Sequence, residues 1–162
     1  SLELDENVLV MSCDYEQYID TEVFSEMVKD NSIDVILFVT QYNKLRMGKP
    51  NSFAYCEVEF SGKVTRIVEK ELLSTMPEND RLLIGTFWFR RASDLEFSLR
   101  MARESGLLIN GELYVANSLN VLIQQGKTIK TLQVDSWVTY GDPQELEIYN
   151  WWEELFNEIK MR

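Results

Sequence analysis

Two short apolar runs on either side of one amphipathic stretch constrain the fold of this chain more than any other feature. Asn7 to Ser12 reads NVLVMS, bounded by acidic residues, and suits a buried strand. The chain then turns after Cys13-Asp14-Tyr15, with Asp20 or Thr21 as a helix N-cap. Val23, Phe24, Met27 and Val28 give that helix one apolar face. Ile33 to Val39 is a second run of the buried-strand type. Strand, helix, strand over about 35 residues is what a parallel βαβ unit requires.

The remaining elements follow from punctuation. Lys44 to Asn51, with Gly48 and Pro50, reads as an exposed loop. Phe53–Phe60 and Lys63–Val68 form a hairpin around Ser61-Gly62, and Leu82–Phe89 is again strand-like. Ser93 with Glu96, and Asp142 with Glu145 and Pro143, mark two helix starts as capping boxes. Helices are expected over about 94–105, 113–125 and 143–160, the first two ending at Gly106 and Gly126. Thr128–Val134 is a last strand. The closing helix carries Leu146, Trp151, Trp152, Leu155, Phe156 and Ile159; one stripe is expected to face the sheet, with one Trp exposed or against another chain. Residues 1–162 thus read as one α/β domain with a mixed, mainly parallel sheet.

Composition narrows the chemistry. Sixteen Lys and Arg against 27 Asp and Glu give a formal charge of −11, which disfavours nucleic-acid partners. Histidine is absent, so His-based triads and most zinc sites are excluded, leaving carboxylates, Lys and backbone groups. Cys13 and Cys56 have no CxxC spacing and read as reduced, interior thiols. The longest apolar run is too short to cross a bilayer, and no signal peptide opens the chain, so a cytoplasmic location is expected. Seven glycines are scattered, no two closer than five residues, so no glycine-rich phosphate loop is present.

Four places could carry chemistry. Asp14 follows a buried strand, where it could hold Mg²⁺ or satisfy a local turn. Glu69-Lys70 stands at a strand end, as a ligand pair or as two solvated charges. Residues adjacent on a strand point to opposite faces, so a bend is needed to bring both to one ligand. Gly85 interrupts a strand, for a bulge, a close approach or packing. Asn110-Gly111-Glu112 reads as a tight turn feeding a helix, with Glu112 either a ligand group or a charge complementing the helix N-terminus.

These motifs, in their order and spacing from Val8 to about Tyr149, resemble the back half of the sugar-phosphate nucleotidyltransferases, the nucleoside-diphosphate-sugar pyrophosphorylase family. Asp14 stands where the family has the Mg²⁺-binding Asp of a Gly-Asp pair, here Cys13-Asp14. Tyr55-Cys56 replaces a Tyr-Gly, and Val68-Glu69-Lys70-Glu71 stands where the family has Val-Glu-Lys-Pro. Leu83 to Phe89 matches a strand whose glycine admits the sugar, and Asn110-Gly111-Glu112 is the most specific local match. The clearest departure is Trp137 to Pro143. The family's second Mg²⁺-binding Asp is replaced by Thr139, with Asp135 or Glu112 as conceivable substitutes.

The resemblance implies a Rossmann-like nucleotidyltransferase fold, N-terminally incomplete, lacking the first strands and the glycine-rich nucleotide loop. It implies Mg²⁺ on Asp14 and a sugar 1-phosphate bound by Tyr55, Glu69, Lys70, Gly85, Asn110 and Glu112. Asp14 and Lys70 would be the catalytic groups. A nucleoside triphosphate would be the second substrate in the complete protein, and this chain alone would be inactive. The alternatives are a non-catalytic binding or assembly module of the same fold, or a nucleotide-sugar glycosyltransferase. An exposed sheet edge points to a homo-oligomer.

Overall fold

The computed structural model describes residues 5–44, 47–141 and 143–161. Twelve regular elements follow in chain order: β1 (Val8–Val10), β2 (Tyr15–Tyr18), α1 (Thr21–Lys29), β3 (Val35–Gln41), β4 (Ala54–Val58), β5 (Val64–Glu69), β6 (Arg81–Phe89), α2 (Ala92–Glu104), α3 (Val115–Gln124), β7 (Ile129–Gln133), β8 (Ser136–Thr139) and α4 (Pro143–Lys160). Short 3₁₀ turns at Pro50–Ser52 and Pro77–Asn79 punctuate the connections.

The main sheet has the order β5-β4-β6-β3-β7, with β1 also paired to β6. It is mixed, but β3–β7 is its one parallel pair among the described residues; every other pair is antiparallel. The expected mainly parallel sheet is corrected here. β1 and β3 do run the same way on either side of α1, as a βαβ unit requires. However, β6 lies between them and pairs antiparallel to both. A βαβ pattern in sequence fixes relative direction, not adjacency.

β3 and β6 form the sheet's buried middle. Val35 to Val39 and Leu82 to Phe89, apart from Gly85, are buried, with core clusters on both faces of the sheet. β1 is shorter and more exposed than its apolar run implies, because β6 is its one strand partner among the described residues. α1 begins as expected: the Asp20 carboxylate accepts the N–H groups of Glu22 and Val23.

α2 starts at Ala92, so Ser93 lies inside its first turn and makes no cap. The Ala92 N–H instead donates to the Glu6 carbonyl at 2.8 Å. Asp142, expected to cap α4, lies outside the described residues. α4 itself buries no residue, and Trp151, Trp152 and Phe156 are all about half exposed. The expected packing of its apolar stripe on the sheet is therefore not found. Of the cysteines, Cys56 is buried as expected but Cys13 is exposed.

β5 is an edge strand whose free groups are covered by a side chain. The Asn120 amide accepts the Ile67 N–H at 3.0 Å and donates to the Ile67 carbonyl at 2.9 Å, so it imitates a neighbouring strand. This clamp ties α3 to β5. Asn120→Ala is expected to cost about 2 kcal/mol in chemical denaturation, because it orphans two half-buried backbone groups. An unchanged midpoint would show that water replaces the amide.

Candidate active site

β1 and β4 lie on the same edge of β6 and leave a gap between them. β1 pairs with Phe87 to Phe89, and β4 pairs with Arg81 to Leu83. Ile84, Gly85 and Thr86 have no strand partner on that edge. Gly85 has φ +87°, a conformation that favours glycine, and the β3–β6 register slips beside it. Gly85 is therefore needed for its backbone conformation: a Cβ there would meet Tyr15 and Ser12 only at ordinary contact distances of 3.8–3.9 Å.

The chain leaving β1 runs into this gap. The Tyr15 hydroxyl pairs with the buried Thr86 hydroxyl, which also donates to Gln17 at 3.0 Å, and its ring meets Trp137 edge-on. β2 pairs antiparallel with β8, a small second sheet that the sequence does not announce. This pairing sets Asp14 beside the 139–141 segment: Tyr15 is opposite Thr139, and the Tyr140 N–H donates to the Asp14 carbonyl at 3.0 Å. The Asp14 carboxylate, exposed and accepting from Ser12, lies so close to Gly141 that a Cβ there would stand 2.7 Å from Oδ2.

A second carboxylate borders the same glycine. Glu145 Oε2 accepts from the Thr139 hydroxyl at 3.0 Å and from the Gly141 N–H at 3.1 Å. The sequence marks Glu145 only as a capping residue. The structure places its carboxylate at Thr139, the position where the resembling family carries an Asp. The Asp14 and Glu145 carboxylates, with the Ser12 and Thr139 hydroxyls that donate to them, flank Gly141, where a side chain would collide with Asp14. That set suits Mg²⁺, which prefers hard oxygen donors and retains waters. Two carboxylates are fewer than a protein-built metal site brings: among the described residues no group of three or more His, Cys, Asp or Glu could hold a metal.

Across β4 lies the second cluster. Glu69 is opposite Ala54, and Ala54 is opposite Leu83, two residues before Gly85. Strand spacings place the Glu69 backbone about 10 Å from Leu83. Burial pushes the Glu69 carboxyl up to about 7, against a smaller opposing pull from Lys70. Lys70 has φ +54° and donates its N–H to the Phe53 carbonyl at 3.0 Å. This left-handed residue ends the strand alternation and supplies the bend that two adjacent ligand groups require.

The loop before α3 reaches the same place. Asn110 and Gly111, both at positive φ, form a tight turn closed by reciprocal Ile109–Glu112 backbone bonds of 2.9 Å. Glu112 thus precedes the helix, which begins at Val115, and is not held by the helix terminus. Its carboxylate lies 3.7 Å from the Lys70 ammonium and accepts from the Tyr114 hydroxyl, which also contacts Lys70. The Tyr114 bond and then Lys70 hold the Glu112 carboxyl below the usual range, while Tyr114 holds Lys70 above its own.

Lys70, Glu69 and Glu112 are therefore brought together, with Asn110 shaping the turn. Tyr114 belongs to the cluster although in that segment only Asn110, Gly111 and Glu112 stand out in the sequence. Tyr55 is not exposed to any ligand through its side chain. It is fully buried and donates its hydroxyl to the Pro50 carbonyl at 2.8 Å, so it supports the loop wall from inside. A groove of about 840 Å³ runs from Thr139 and Glu145 along α4, floored by Trp137, Val138, Ile148, Trp152 and Phe156. It adjoins the Asp14 side and is separate from the Lys70 cluster.

No family model matches the sequence, and no curated protein matches it. Solved structures do. A nucleoside-diphosphate-sugar pyrophosphorylase from Vibrio cholerae RC9 aligns with a TM-score of 0.68 at 24% identity, over 88% of this chain and 55% of that one. This is the sugar nucleotidyltransferase fold. A Bacillus anthracis protein classed provisionally as a glucose-1-phosphate thymidylyltransferase, in complex with a sucrose, aligns with a TM-score of 0.66 at 16% identity, over 90% of this chain and 54% of that one. The chain spans about half the length of these structures. No helix among the described residues is long and apolar enough to cross a membrane.

Proposed function

We propose that this chain forms the sugar-phosphate side of an enzyme that joins a sugar 1-phosphate to a nucleoside triphosphate, making a nucleoside-diphosphate sugar. The observation that carries the reading is Glu69. Its carboxylate is half-buried, which raises its pKa, and no described side chain donates to it, while the next residue, Lys70, turns its ammonium toward Tyr114 and Glu112 from a left-handed bend. A sugar supplies the missing donors through its hydroxyls, and its phosphate supplies the anion for Lys70. Glu112 and the Asn110-Gly111 turn form the opposite wall, and Gly85 forms the floor.

In the reaction a phosphate oxygen of the sugar 1-phosphate attacks the α-phosphorus of the triphosphate, and pyrophosphate leaves. Such a transfer depends on positioning and charge neutralisation, so histidine is not required. Asp14 would hold Mg²⁺, with Glu145 in place of the carboxylate that Thr139 lacks. The ion would neutralise phosphate charge when bound. Lys70 orients the sugar phosphate, Glu69 orients the sugar, and the buried Tyr15–Thr86 pair keeps the opening in shape.

A non-catalytic binding module of the same fold is the second reading. Thr139 and the absence of a glycine-rich loop from the 162 residues favour it. Mixing this chain with Mg²⁺, nucleoside triphosphates and a panel of sugar 1-phosphates separates the parts. Sugar-phosphate binding without pyrophosphate release is the expected outcome, since no basic glycine-rich segment is present to hold the triphosphate. Measurable turnover would contradict this assignment of the chain to the sugar side alone.

A further inference from the structure

We propose that Tyr114 is a positioning residue: its hydroxyl and ring hold the Lys70 ammonium at the mouth of the opening, ready for the phosphate of a phosphorylated sugar. The proposal rests on the sugar-phosphate reading for the ligand, but not for the hold itself. The donor and acceptor roles can be assigned without ambiguity. An ammonium only donates and a carboxylate only accepts, so the hydroxyl between them must accept from Lys70 and donate to Glu112. The ammonium also sits 4.5 Å from the centroid of the Tyr114 ring, so hydroxyl and ring act on the same group.

The frame behind the pair is stiff. Lys70 is fixed by its left-handed backbone and its bond to Phe53, three residues beyond the Ile67 groups that Asn120 clamps. Tyr114 is the residue at the start of α3, the helix that carries Asn120. One rigid unit therefore carries both partners. A lysine has a long flexible stem, and ordering it before the ligand arrives removes that cost from binding. Tyr114 leaves the other ammonium protons to Glu112 and to an incoming phosphate.

Tyr114→Phe tests this while keeping the ring. In protein labelled with ¹⁵N at lysine side chains, Lys70 should give an ammonium signal protected from water exchange, identified by its loss in Lys70→Arg. The signal should disappear in Tyr114→Phe. Glucose 1-phosphate should then bind about tenfold more weakly to the variant, with glucose binding unchanged. Backbone amide spectra confirm that the variant is folded. A persistent Lys70 signal, or equal loss of glucose and glucose 1-phosphate, would overturn the proposal. If the wild-type protein binds no member of a sugar 1-phosphate panel, the sugar-phosphate reading fails, and the Lys70 signal alone upholds or overturns the hold; if it binds another member better, that compound replaces glucose 1-phosphate in the comparison.

Discussion

Arg90→Ala is expected to lower the unfolding free energy by about 3 kcal/mol. Its guanidinium closes the end of α1 onto the sheet. Nε donates to the Ile33 carbonyl at 2.6 Å, and Nη2 donates to the carbonyls of Val28 and Asp30 at 2.9 and 2.7 Å. Nη1 reaches Asn31 at 3.3 Å, and the group stacks 5.0 Å from the Trp88 ring. α1 has no fully buried residue, although Phe24, Met27 and Val28 pack partly buried against the core, so this polar closure adds to a modest apolar attachment. Each charge-assisted bond contributes about 1.5–3 kcal/mol, but part of the site is wet and water recovers some of the loss. Arg90→Lys should fall between, because an ammonium cannot span three carbonyls and stack on Trp88 at once. Urea denaturation checks this, and a loss below about 1 kcal/mol would show that α1 is held elsewhere.

Glu69→Gln is expected to act in the opposite direction, and only at high pH. The folded-state pKa of Glu69 is raised from 4.5 to about 7. Between those values the native chain keeps a proton that the unfolded chain has released. Stability therefore falls as pH rises through this window and levels off above it. Replacing the carboxylate by a neutral amide should raise stability at pH 8 by roughly 2 kcal/mol, less than the full shift implies because water still reaches the half-buried carboxyl, and leave it unchanged near pH 4. The same change should abolish or greatly weaken sugar binding. A residue that costs stability and supports ligand binding is the expected signature of a binding site. Equal stability of the two proteins at pH 8 would show that Glu69 is solvated, and the main argument for a sugar there would go with it.

Most elements and part of the candidate site are legible in the sequence, and the limits have physical causes. β3 and β6 were legible because strands buried on both faces leave long apolar runs. The Asp20 cap and the helix ends at Gly106 and Gly126 were legible because these are local chemistry; both glycines have positive φ. β2 and β8 were not, since a short pair with mixed burial has no distinctive period. Strand order was not legible either, because β6 enters between β1 and β3 from far along the chain. In the site, Glu69, Lys70 and Glu112 stood out as charges beside punctuation. Tyr114 and Glu145 did not, because each has a bland local reading and gains its role only when β5 meets α3 or β2 meets β8. Tyr55 is a motif tyrosine whose side chain is buried and whose hydroxyl is spent on the Pro50 carbonyl, which the sequence does not show.

A titration of ¹⁵N-labelled protein with glucose 1-phosphate and other sugar 1-phosphates, followed through its amide shifts, tests the sugar-side assignment most directly. At least one compound should saturate shifts at Glu69, Lys70, Gly85, Asn110, Gly111 and Glu112. Those shifts should weaken below pH 7 as Glu69 takes up its proton, and vanish in Lys70→Ala. No saturable shift with any compound, or shifts confined to the groove along α4, would contradict the assignment.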